Sequence, residues 1–243
     1  MTTASKLQAL VDGLEYTRQA IEGKGATLPA GSPLGDYPGA VESIEGGGGD
    51  PWVPKPEPGQ LTSTSYMFQY GWSQFLTSVE LFDTSNVTKM DYMFRGCSSL
   101  ESVPLFDTSN VTTMRNMFNG CSSLESVPLF DTSIVANMSA MFSGCSSLVE
   151  VELTDCSKVT NATTMFGTLA TSTQATSLER LILPGMTIGF NLLNTQMGAS
   201  ALNDLFHSLG TASGSQTINI TGAPGAAECD KTIATTKGWT ITG

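Results

Sequence analysis

The chain has 243 residues, a formal net charge of −11 from 22 acidic and 11 basic residues, and 40% hydrophobic residues. The hydrophobic fraction is enough to fill a core, which excludes a wholly disordered chain, and the negative charge disfavours a phosphate backbone, so no nucleic-acid partner is expected. The long charge-free stretch from Leu181 to Asn203 is interrupted by proline, glycine and asparagine, so no membrane insertion is expected either.

The chain is predicted to begin with a small helical attachment segment, residues 1–45. Four apolar residues in it recur at helical spacing: Leu7, Leu10, Leu14 and Ile21. Such an apolar edge needs a partner, which is either the rest of a small domain or a docking and oligomerisation contact. The second alternative predicts a homo-oligomer; a trimer suits a fibre, although Thr17 interrupts the heptad pattern and leaves the copy number open. The segment has no basic region followed by an apolar run, so no secretory signal is expected.

A linker, residues 46–60, separates this segment from the remainder of the chain. It combines a flexible glycine run, Gly46 to Gly49, with a proline-rich spacer that ends at Gly59. We therefore place a second domain at residues 61–243.

The second domain contains an internal repeat of 24 residues. The tetrapeptide Phe-Asp-Thr-Ser begins at Phe82, Phe106 and Phe130, and a Gly-Cys-Ser-Ser-Leu segment recurs with the same period. This period, combined with L-x-x-L-x-L spacing, is typical of leucine-rich repeats. The spacing is found at Leu100 to Leu105, Leu124 to Leu129, Leu148 to Leu153 and Leu178 to Leu183. Each such segment is predicted to be a short strand, followed by a turn of helix whose apolar face in one repeat would be Val111, Met114, Met117 and Phe118.

From Phe82 to Phe166 the sequence resembles the BspA-like leucine-rich repeats, whose consensus is approximately F-D-T-S-N-V-T-x-M-x-x-M-F-x-G-C-S-S-L. The resemblance implies an α/β solenoid in which the strands form a parallel sheet and stacked repeats bury one another's apolar edges. Tyr66-Met67-Phe68 indicates a degenerate first repeat.

Closing repeats that cap the core are predicted from about residue 199. Two helices are expected there, Ala199 to Leu209 and Ala226 to Lys237. An Ile-Thr-Gly segment follows each helix, at Ile220 and again 21 residues later at Ile241. This spacing predicts two atypical terminal repeats.

Three kinds of residue recur as columns through the repeats. The cysteines at positions 97, 121 and 145 are expected to be small buried hydrophobes, with metal or redox roles as the alternatives, and the recurrent methionines are expected to fill the core. The aspartates at positions 83, 107, 131 and 155 are expected to accept hydrogen bonds from backbone amides in turns, with calcium binding as the alternative.

The sequence offers little for catalysis. His207 is the one histidine, which rules out a histidine-based metal triad within one chain, and neither a G-x-S-x-G elbow nor a phosphate-binding G-x-x-x-x-G-K-S/T loop is present. We therefore predict a non-enzymatic protein without a metal or other cofactor.

The strand positions that point away from the core are predicted to form a binding face. On the L-x-x-L-x-L template they are Ser102, Pro104, Ser126, Pro128, Glu150 and Glu152, and Arg180 extends the row. A rigid polar row of this kind suits contact with a carbohydrate or a protein surface better than it suits an apolar cofactor.

Three functions fit these features. The first is a phage virion structural protein, such as a tail fibre, head fibre or decoration protein, which docks on other virion proteins and displays the solenoid for adhesion to a host surface glycan or protein. A weak similarity supports it, because Ala20 to Gly25 and Tyr37 to Ile44 resemble short N-terminal segments of phage tail-fibre-like proteins. The expected location is the virion, after assembly in the bacterial host cytoplasm. The others are a bacterial cell-surface adhesin, which the BspA-like resemblance implies, and a collar or baseplate component without a receptor.

Overall fold

The structure is a computed structural model that describes residues 61–69, 76–167 and 175–243. In chain order its elements are β1 (Glu150–Glu152), β2 (Arg180–Ile182), β3 (Phe190–Asn191), α1 (Ala199–Ser208), β4 (Gln216–Asn219), α2 (Thr232–Thr235) and β5 (Trp239–Thr242). Strands β1 and β2 form one parallel pair, and β3, β4 and β5 form a parallel three-stranded sheet in that order. No helix in these described ranges is long and apolar enough to cross a bilayer.

Consecutive repeats lie side by side in parallel register. A series of parallel bridges joins equivalent residues: Ser63 to Lys89, Lys89 to Thr113, Thr113 to Asn137, and Asn137 to Asn161. We call this series the bridge ladder. Within it the backbone N–H groups of Met114, Asn116 and Phe118 donate to carbonyl oxygens of the next repeat at 2.9 to 3.0 Å.

The turn of helix predicted from Val111 to Phe118 is wrong. The segment is extended at first, with Thr113 in the bridge ladder, and then turns, and Asn116 adopts a positive φ of 55°. The physical reason is the competition for backbone donors, because the N–H groups that a helix would bond internally are used between repeats. The apolar spacing that suggested a helix still places Met114, Met117 and Phe118 in the core, since each is fully buried.

Stacked phenylalanine rings form the centre of the core. The rings of Phe94 and Phe118 have centroids 5.6 Å apart, those of Phe118 and Phe142 are 5.8 Å apart, and those of Phe142 and Phe166 are 5.7 Å apart. The planes of each pair are within 14° of parallel. The recurrent methionines and three column cysteines are fully buried beside these rings, as the sequence predicted.

The predicted strand segments differ along the chain. Those at residues 148–153 and 178–183 contain β1 and β2, whereas the segment at 124–129 forms a single bridge, from Ser126 to Glu150, and the segment at 100–105 contains no strand. Leu105 and Leu129, predicted to be core residues, are 57% and 51% exposed. Each is followed by a buried phenylalanine that fills the core in its place, whereas Leu153 has no such neighbour and is buried itself.

The first closing helix is confirmed. Helix α1 covers Ala199–Ser208 and buries Leu202, Leu205 and Phe206. Its C-terminal carbonyl oxygens are satisfied by Lys237, whose ammonium group donates to Phe206, His207 and Leu209 at 3.0, 2.8 and 2.7 Å. A cation at this end is also favoured by the helix dipole.

The second closing helix is much shorter than predicted. Helix α2 covers only Thr232–Thr235. Residues 224–228 form turns instead of helix, and the Asp230 carboxylate accepts hydrogen bonds from the Thr232 amide and hydroxyl in a turn immediately before the helix. The side-by-side pairing of the last strands also differs from the 21-residue sequence repeat, since Ile241 pairs with Ile218 and not with Ile220. Strand β4 ends at Asn219, whose side chain accepts from the Thr221 amide at 3.0 Å, so Ile220 already belongs to a turn.

Candidate functional site

Part of the predicted binding face is assembled by parallel pairing. Ser126 bridges to Glu150, and Glu150 pairs with Arg180, so these three residues form a row across neighbouring segments. Glu152 lies on β1, two residues beyond Glu150 and on the same side of the strand. We call these four residues, Ser126, Glu150, Glu152 and Arg180, the strand face.

The remaining predicted positions lie next to this row with different exposure. Ser102 is exposed, but nothing in the described ranges pairs it in a strand. Pro104 and Pro128 are half-buried. The predicted docking residues Leu7, Leu10, Leu14 and Ile21 lie outside the described residues.

Charged side chains organise the strand face. The Arg180 guanidinium contacts Glu150 and donates to Glu152 at 3.0 Å, and all three side chains are 43% to 49% exposed. Hydrogen bonds from Arg180 to Glu152, and then to Glu150, raise the pKa of the guanidinium, which favours its charged form. At this exposure the ion pairs add little to stability, but they hold the arginine across both carboxylates.

A cleft lies beside the three-stranded sheet, and the sequence did not predict it. Its volume is about 530 Å³, and it is lined by Thr164, Gly167, Phe190, Asn191, Thr217, Asn219 and Thr242. The described lining residues carry no charge. The side-chain oxygen and nitrogen of Asn191 are buried there without a hydrogen-bond partner, which suits contact with an uncharged polar group.

The aspartate column has a structural role, as the sequence predicted. The carboxylates of Asp83, Asp107, Asp131 and Asp155 each accept a hydrogen bond from the amide of the serine two residues later, at 2.8 to 3.0 Å. The hydrogen bond from the Ser133 amide lowers the pKa of the Asp131 carboxyl group. The neighbouring threonine hydroxyls donate to the next repeat, for example from Thr108 to the Asp131 carbonyl at 2.9 Å. In the ranges that the structure covers, no three potential ligands gather to hold a metal ion.

The cysteine column is also structural. The thiols of Cys121 and Cys145 donate to the carbonyl oxygens of Phe94 and Phe118, each at 3.1 Å. Burial raises the pKa of Cys145 to about 12, so its thiol is protonated and unreactive at neutral pH. The cysteines therefore act as small core residues that also satisfy a carbonyl group.

One family model matches just under half of the chain. Residues 62–178 match the model described as "Mycoplasma protein of unknown function, DUF285", a family of BspA-like repeat proteins. The matched range contains the bridge ladder and the stacked phenylalanines. No curated protein and no solved structure matches the chain. The match supports the resemblance read from the repeats, and its description assigns no activity.

Proposed function

We propose that the chain is a non-enzymatic virion protein of a phage: a tail fibre, head fibre or decoration protein that displays an α/β solenoid for adhesion to the host surface. The N-terminal segment docks on other virion proteins, and residues 61–243 carry the binding face. The observation that carries this proposal is the parallel row of Ser126, Glu150 and Arg180.

This row supports adhesion because its groups are held in place before a ligand arrives. Glu150 and Arg180 are fixed by strand pairing and by their ion pair, and Ser126 is exposed beside them. A surface that does not have to order itself loses less entropy on binding. Donors and acceptors alternate across it, which suits the hydroxyl groups of a glycan or the polar surface of a protein.

A bulky residue on the strand face should block adhesion. We expect the full-length variant Ser126→Trp, labelled with a fluorophore, to bind intact host bacteria at least about tenfold more weakly than the parent chain, because the indole covers the row. The matched control is Thr163→Trp, two residues after Asn161 of the bridge ladder, where the residue is also exposed. Equal loss with both variants, or no binding by the parent chain to any host, would contradict an adhesive strand face.

Charges on the predicted docking edge should prevent attachment to the particle. We expect Leu7→Asp combined with Leu14→Asp to abolish incorporation into virions, because the apolar edge could no longer pack on its partner. Ser5→Asp combined with Ala9→Asp adds the same charge on the opposite side of the predicted helix and should be tolerated. Quantitative immunoblots of purified particles measure incorporation; equal incorporation of both double variants would exclude docking through this edge.

The second candidate is a bacterial cell-surface adhesin, and the description of the matched family favours it because that description names Mycoplasma. A structural collar or baseplate component is the third. Immunogold labelling separates all three: label at a fibre or on the capsid supports the first, label on uninfected cells the second, and label at the collar or baseplate of particles whose protein binds no host the third.

A further inference from the structure

A cluster of aromatic and cationic side chains lies in the turns that follow the residues of the bridge ladder. It consists of Tyr66, Tyr92, Arg95 and Arg115, and we call it the Tyr–Arg cluster. The two tyrosine rings stack with centroids 4.7 Å apart and planes 9° from parallel. The guanidinium carbons of Arg95 and Arg115 lie 5.5 and 5.4 Å from the centre of the Tyr92 ring.

The backbone fixes this arrangement. The amide of Tyr66 donates to the Asp91 carbonyl at 3.0 Å, and the amide of Tyr92 donates to the Arg115 carbonyl at 2.8 Å. Both tyrosines occupy the turn position with positive φ that Asn116 fills in the next repeat. An aromatic residue pays a steric cost in this conformation that asparagine largely avoids. Packing of the two rings offsets that cost and leaves Tyr66 40% exposed.

Both guanidinium groups have N–H donors available to a ligand. Across the described ranges neither Arg95 nor Arg115 has an ion pair or a side-chain hydrogen bond, and both are exposed. The carboxylate of Asp91 forms no ion pair with either arginine in the described part of the chain; its Oδ1 accepts from the Thr113 hydroxyl at 2.5 Å and from the Arg115 amide at 2.9 Å. In a chain with twice as many acidic as basic residues, two unpaired arginines around one ring form a local site for anions.

We propose that the Tyr–Arg cluster binds a carboxylate-bearing glycan. The two guanidinium groups donate to the carboxylate of one acidic sugar or to the carboxylates of two, and the exposed part of Tyr66 packs against the C–H face of a sugar ring. This inference rests on the proposed adhesive function, which it deepens by naming a ligand class, but it assigns that ligand to residues other than those of the strand face. A nucleic acid fits less well, because its dense phosphate charge meets a net charge of −11 over the remaining surface.

The test measures binding of trigalacturonate and of 3′-sialyllactose to the full-length chain by calorimetry at low salt. We expect binding of at least one of them. Its uncharged counterpart, fully methyl-esterified trigalacturonate or lactose, should bind at least about tenfold more weakly, because the charged hydrogen bonds are lost. Arg95→Gln and Arg115→Gln should each weaken binding about fivefold to tenfold. Lys158→Gln removes the same charge from an exposed residue elsewhere and should leave binding unchanged.

Several results would overturn the proposal. The first two are that neither acidic saccharide binds, or that the uncharged counterpart binds equally well. The others are that Lys158→Gln weakens binding as much as the arginine variants do, or that an acidic hexapeptide or oligo(dT) binds more tightly than the saccharides. Far-ultraviolet circular dichroism verifies that each variant is folded. The Ser126→Trp variant separates the two proposals, because it should retain the acidic saccharide while losing host cells. Failure to bind the saccharide with intact, Ser126-dependent cell binding would reject only the Tyr–Arg site.

Discussion

We expect Phe118→Ala to lower the free energy of unfolding by about 3 to 5 kcal/mol, the range for removing a buried aromatic side chain. Phe118 is fully buried, and its ring is stacked between those of Phe94 and Phe142. The alanine would leave a cavity shared by three repeats, and the backbone hydrogen bonds between those repeats prevent it from closing. Urea unfolding of the full-length chain, followed by circular dichroism, measures the loss.

Leu129→Ala is the matched control for this cavity. The leucine is in the following repeat and belongs to the apolar template, yet it is 51% exposed. Its loss should therefore cost less than about 1 kcal/mol, because little buried surface disappears. Similar losses for Phe118→Ala and Leu129→Ala would show that the phenylalanine stack does not dominate the core, and the packing described here would be wrong.

The period made the core predictable. Residues that recur every 24 positions occupy equivalent places in successive repeats, so the burial of the phenylalanine, methionine and cysteine columns followed from their spacing alone. The exposure of Leu105 did not follow, because Leu105 and Phe106 are adjacent apolar residues and only packing decides which of them faces inward. The turn at Asn116 was missed for a related reason, since spacing records which residues are buried and does not record where backbone amides find acceptors.

The candidate sites were predictable to different degrees. The pairing of Glu150 with Arg180 follows from aligning L-x-x-L-x-L segments across the insertion between them. The Tyr–Arg cluster could not be found in this way, because Tyr66, Tyr92 and Arg115 stand at positions where the consensus is variable. A repeat pattern identifies the residues that every unit needs for stacking. Residues that occur in only one or two units are free to take specialised roles, and the folded structure is needed to show which of them are neighbours.

Alkaline pH should unfold the protein through its buried thiols. Burial raises the pKa of Cys97, Cys145 and Cys156 to about 12, and that of Cys121 also rises, whereas an unfolded thiol titrates near 9. Above pH 9 the unfolded chain therefore binds fewer protons than the folded chain. The buried thiols should therefore leave the free energy of unfolding unchanged below pH 9. As the pH rises from 9 toward 12, each such thiol should lower the free energy of unfolding by about 1.4 kcal/mol per pH unit.

The slope of this loss tests the cysteine column directly. We expect Cys145→Ala to reduce the slope of the free energy of unfolding against pH, measured by urea unfolding between pH 9 and 11. The reduction should be the contribution of one thiol, about 1.4 kcal/mol per pH unit. Cys229→Ala is the control, because Cys229 lies outside the column in the closing region, and it should change the slope less. Rapid modification of native Cys121 or Cys145 by a thiol reagent at pH 8, or a slope that Cys145→Ala leaves unchanged, would mean that these thiols are not held protonated within the stack.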